Sequence, residues 1–116
     1  MTTSDLSVDD FYGLRKAEFG YLERFDLQQS VDPNQWAGFR VEIDLRALAQ
    51  AESRRLRLVF IGVRDLRIGS LEGLLFFLIE IRSIRDQQLE GLNYRVVEGE
   101  HNAFSFVCES FTASIE

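Results

Sequence analysis

Glu98, Glu100 and His101 are the densest group of chemically capable side chains in this 116-residue sequence, set in Glu98-Gly99-Glu100-His101-Asn102. Two carboxylates and an imidazole are a workable donor set for a metal ion. Adjacent residues in a tight turn seldom converge on one ion, however, and the segment holds no second His and no Cys. The expectation is a solvated acidic loop with no metal and no cofactor. Cys108 and His101, the only cysteine and histidine, are the parts of a nucleophile–base pair. Strand geometry puts them on the order of 20 Å apart at about 3.3 Å per residue, which is too far. Cys108 shares a strand face with Phe104 and Phe106 and reads as a small buried hydrophobe. Asp44 and Glu80 are conceivable as a glycosidase-like acid and base, but nothing in their spacing selects them. No Gly-x-Ser-x-Gly elbow, phosphate-cradling glycine loop or Cys-x-x-Cys pair occurs. The chain is expected not to be an enzyme.

Charge narrows the classes further. The formal net charge is −6 and the sequence pI is near 4.8, a balance that repels phosphate backbones and acidic headgroups. Neither nucleic acid nor membrane is an expected partner, and no apolar run is long enough for a spanning helix. The first twenty residues carry too many charges for a signal peptide, so the expected compartment is the cytoplasm. Arg54, Arg55, Arg57, Arg64 and Arg67 crowd one segment. Glu90, Glu98, Glu100, Glu109 and Glu116 crowd another. Either the two segments pair internally across a sheet, or they give the surface a dipole that orients a charged partner.

The elements that must carry these residues are mostly strands. Ser7-Val8-Asp9-Asp10 is an N-cap signal for one short helix over 8–18, preceded by a loose polar tail at 1–6. Phe19 to Leu27 alternates as a strand, and Asp32-Pro33-Asn34 is a turn. Val41, Ile43 and Leu45 alternate with charged residues, as do Leu56, Leu58 and Phe60. Gly62 marks a bulge or a sharp bend. Leu74 to Ile79 is six consecutive large apolar residues, so Leu74–Glu80 is expected to be the central strand, covered on both faces. A helical turn or a loop is expected over Ala47–Glu52, and one helical turn over Ile84–Leu89. After a strand around Tyr94, a hairpin turn places Gly99 or Asn102 at positive φ. In the closing strand the inward parity changes between Phe106 and Phe111, which requires a bulge near Cys108–Ser110. The expected fold is mainly β, with α+β at the margin. It is an antiparallel β-sandwich or partly open barrel of five to seven strands in a single domain.

Two segments carry a family resemblance. Leu56 to Leu66, with its strand, Phe-x-Gly-Val, strand pattern, and the hairpin Tyr94 to Cys108 resemble small bacterial β-rich proteins. Some of these are classed as immunity proteins of contact-dependent or polymorphic toxin systems. The resemblance spans about residues 54–112 and implies a non-catalytic protein that occludes a toxin by binding it; it supplies no matched functional residue. The expected function is a protein-binding module. The alternative, prompted by ten Phe residues, is a carrier of small apolar ligands with a Phe-lined cavity. Partner contact is expected at Glu98, Glu100, His101 and Glu109, read as outward-facing. Reversing the charges of Glu98 and Glu100 should then leave stability unchanged. Unpaired edge strands permit self-association without requiring it.

Overall fold

Period-2 alternation becomes three long strands, β1 (Phe19–Val31), β2 (Ala37–Ala47) and β3 (Arg55–Ile68). Four shorter ones follow: β4 (Ile79–Ser83), β5 (Tyr94–Glu98), β6 (Phe104–Cys108) and β7 (Ser110–Ile115). These come from a computed structural model, which describes residues 19–31, 37–47, 54–72, 76–87 and 91–115. The expected helix at 8–18, the tail, the turn at 32–34 and the turn over 48–52 lie outside the described residues. Of the helical turn expected at Ile84–Leu89, a 3-10 turn over Arg85–Gln87 is described.

The strands form one open antiparallel sheet in the order β1-β2-β3-β6-β5-β4, with β7 also paired to β3. β6 and β7 run on as a single bent strand along β3: Ile68 faces Phe104, Arg64 faces Val107, Ile61 faces Ser110 and Leu56 faces Ile115. The bend falls where the sequence asks for it. Gly62 sits at φ +67° on β3. Beside it Glu109 interrupts the partner strand and donates its N–H to the Ile61 carbonyl at 3.0 Å. The two bulges are side by side, so both strands bend together. The Glu109 carboxylate fills the space that a Cβ on residue 62 would need.

Curling brings the inner faces around one core. Val41, Ile43, Leu45, Leu56, Leu58 and Phe60 are fully buried with Phe104, Phe106 and Phe111. The rings engage edge to face, Phe60 on Phe106 at 5.0 Å and Tyr94 on Phe111 at 5.0 Å, while Phe25 of β1 meets Phe104 of β6 at 5.2 Å. Such contacts add about 0.5–1.5 kcal/mol each to area burial. The sheet edges approach where Phe77 N–H donates to the Gly20 carbonyl at 2.8 Å.

Leu74–Glu80 is not the central strand. β4 begins only at Ile79 and lies at the end of the strand order, whereas β3 occupies the centre. The apolar run has two destinations instead of one: Phe77 and Ile79 point into the core, while Phe76 is 54% exposed. Phe76 adopts φ +65° and stacks on the exposed Tyr21 ring at 6.3 Å. A left-handed backbone at a non-glycine residue costs about 1–2 kcal/mol.

Candidate partner-binding surface

Glu98 ends β5 and, contrary to its expected outward position, is 1% exposed. Its inward parity follows from Tyr94 and Val96, which point to the same face. The carboxylate accepts four backbone hydrogen bonds. Oε2 takes the N–H groups of Leu78 at 3.0 Å and Glu100 at 2.9 Å, and Oε1 those of His101 at 2.7 Å and Ala103 at 3.2 Å. Burial pushes the pKa of Glu98 up, but the four donors outweigh it and hold the group below the ordinary carboxylate range. This side chain builds the β5–β6 turn, with Asn102 at φ +56° completing it. It also ties the turn to the chain entering β4, where Gly99 N–H donates to the Leu78 carbonyl at 2.7 Å.

Glu100 and His101 stand exposed on that turn, the His101 ring meeting the edge of Phe77 at 5.9 Å. Glu109 is elsewhere. It lies beyond the far end of the five-residue β6, on the order of 16 Å along the strand at about 3.3 Å per residue. There it is half-buried and lines a surface hollow of about 310 Å³ with Gln28, Phe39, Arg40 and Ile61. The structure thus unites Glu100 with His101, assigns Glu98 to the framework and separates Glu109 from all three. Asp44 and Glu80 are not brought together either, since β3, β6 and β5 stand between β2 and β4. Cys108 is fully buried, and burial, reinforced by the Glu109 charge, pushes its thiol up to about 12.

The outer face of the sheet divides into two electrostatically different halves. On β1-β2-β3 the charges compensate one another. Arg57 grips the 2%-exposed Asp44 with two bonds, Nε to Oδ1 at 2.9 Å and Nη2 to Oδ2 at 3.3 Å. Arg24 reaches Asp26 at 2.6 Å, Glu42 at 3.5 Å and Asp44 at 3.7 Å. Its guanidinium pKa is raised, by the hydrogen bond to Asp26 first and by the surrounding acids. Glu23 bridges Arg46 at 2.8 Å and Arg55 at 2.6 Å. Of the arginine-rich segment, Arg55 and Arg57 therefore find their acids on β1 and β2, and Arg67 finds Asp65 on its own strand at 3.6 Å.

On the β3-β6-β5-β4 half the register produces a different array. Arg82 of β4 lies directly opposite Arg95 of β5, Arg95 opposite Val107, and Val107 opposite Arg64. The next row runs Glu80, Val97, Ser105, Arg67. Glu80, Arg82, Arg95 and Val97 line a surface hollow of about 160 Å³. Sequence reasoning missed this array because Arg82 and Arg95 belong to different strands. The excess of arginine near residues 64–67 was its only visible signal.

No helix among the described residues is long and apolar enough to cross a membrane, and no group of three or more His, Cys, Asp or Glu among them could hold a metal ion. Comparison with curated proteins and with solved structures returned no match. The sequence does match a family model, described as immunity protein PIM8, over residues 3–114. A match across nearly the whole length, on an antiparallel sheet of this kind, places the chain in the PIM8 immunity protein family.

Proposed function

We propose that this protein neutralises a toxin protein by binding it and covering the surface the toxin needs for activity, with no chemistry of its own. The observation that carries the reading is the family match over residues 3–114. The side chains best suited to chemistry support it by their structural employment. Glu98 is saturated by four backbone donors, and the Cys108 thiol is buried with its pKa pushed up to about 12. Glu100 and His101, two of the residues expected at the partner contact, lie exposed on the β5–β6 turn.

The test pairs the chain with the toxin domain encoded beside it. Co-expression should restore growth of cells producing that domain, and the purified pair should co-elute at fixed stoichiometry. A chain that neither protects nor co-elutes would overturn the proposal.

A further inference from the structure

Building on the neutralisation reading, we infer that the outer face of β3-β6-β5-β4 docks a carboxylate-bearing surface of the toxin, gripped by Arg82 and Arg95. Two like charges directly opposite on neighbouring strands hold their Cβ atoms about 4.5–5.5 Å apart and destabilise the sheet. The other half of the same outer face shows how this fold neutralises arginine, since there each guanidinium has a carboxylate within 4 Å. Arg82 and Arg95 have no ion pair among the described residues. The nearby acid, Glu80, turns its carboxylate toward Gly99, where an added Cβ would meet it at 2.9 Å. Along the same two rows the register continues to Arg64 and Arg67 of β3, of which Arg67 is paired with Asp65 at 3.6 Å. Arg82 and Arg95 are the pair on which the contact rests.

A planar guanidinium fork binds a carboxylate with two parallel bonds, and the hollow that Arg82 and Arg95 line together with Glu80 and Val97 gives an incoming side chain room to reach both guanidinium groups. An overall charge of −6 repels an extended polyanion, whereas a compact acidic patch on a protein meets mainly the local field. The adjoining turn with Glu100 presents the opposite sign. The contact is therefore dipolar and fixes the partner's orientation.

The experiment measures toxin-domain affinity and melting temperature for the parent and for R82E, R95E and R82E/R95E. Arg82→Glu places a carboxylate opposite Arg95, so its melting temperature should match or exceed the parent's while binding weakens about tenfold to a hundredfold. The double variant should bind no better than R82E, and its association rate should lose most of its salt dependence. Unchanged affinity in all three variants, with the parent still binding, overturns the docking face and leaves neutralisation standing. Failure of the parent to bind overturns both. A single-stranded RNA oligonucleotide serves as the competing probe: if the parent binds it as tightly as the toxin domain and R82E/R95E loses both, the face is a nucleic-acid site and the inference fails.

Discussion

Replacing Glu98 by Gln probes the framework of the β5–β6 turn with a change of one atom. Each carboxylate oxygen accepts two backbone N–H groups, so an amide NH₂ in place of either oxygen confronts two donors with a third. A buried donor without an acceptor costs about 1–3 kcal/mol, and two give about 2–6 kcal/mol. We take about 3 kcal/mol for Glu98→Gln, a large part of the roughly 5–15 kcal/mol that stabilises a domain. At about 4–5 °C per kcal/mol for a chain this size, the melting temperature should fall by roughly 12–15 °C. The control Glu100→Gln, exposed on the same turn, should stay within about 0.5 kcal/mol of the parent. The pH dependence follows from the sign of the shift. The folded-state pKa lies below the unfolded value of about 4.3. The carboxylate's stabilisation is therefore complete above that value and is lost as pH falls through the folded-state pKa. Urea unfolding followed by far-UV circular dichroism from pH 7 to pH 2.5 should show a steeper acid decline in the parent than in Glu98→Gln. Equal stability of parent and variant at pH 7, or identical acid limbs, would refute the reasoning.

Gly62→Ala should cost about 1–3 kcal/mol, because residue 62 is left-handed and its Cβ meets the Glu109 carboxylate. Adding Glu109→Ala should recover part of that loss in thermal denaturation, and no recovery would mean that the contact is irrelevant. The Cys108 thiol, pushed up to about 12, should react with iodoacetamide at pH 8.5 on the order of a thousandfold more slowly in the native protein than in urea. Comparable rates under both conditions would contradict its burial.

Strand identity and local geometry were readable wherever the sequence carries its own punctuation. The alternation around Val41–Leu45 and Leu56–Phe60, the interruption at Gly62, the parity change at Cys108–Ser110 and a positive φ in the 99–102 turn, which falls on Asn102 and not on Gly99, all needed only period 2 and turn chemistry. What failed needed knowledge of neighbours. The run Leu74–Ile79 announces apolar density but not its destination, and Phe76 spends its share on an outward stack with Tyr21. The true central strand, β3, looked less buried because Arg55 and Arg57 on its outer face pair with Glu23 of β1 and Asp44 of β2 in place of a second apolar layer. Glu98 looked exposed because its type is usually solvated. Only the inward parity of Tyr94 and Val96 hinted that it would turn into the hairpin.

β3 lies at the middle of this sheet, yet one of its long sides is closed last. Its C-terminal neighbour pairs Ile68 with Phe104 and Leu56 with Ile115, separations of 104 − 68 = 36 and 115 − 56 = 59 residues. Loop closure over such lengths delays pairing relative to the neighbouring β1–β2 and β2–β3 hairpins. On the ribosome, β1, β2 and β3 therefore emerge as a three-stranded meander with an open edge along all of β3. That edge stays a template for pairing with other nascent chains until residues 104–115 have left the exit tunnel. Premature termination before residue 104 thus does more than remove two strands. It leaves the central strand of the native sheet as an unprotected margin, on which truncated copies can assemble.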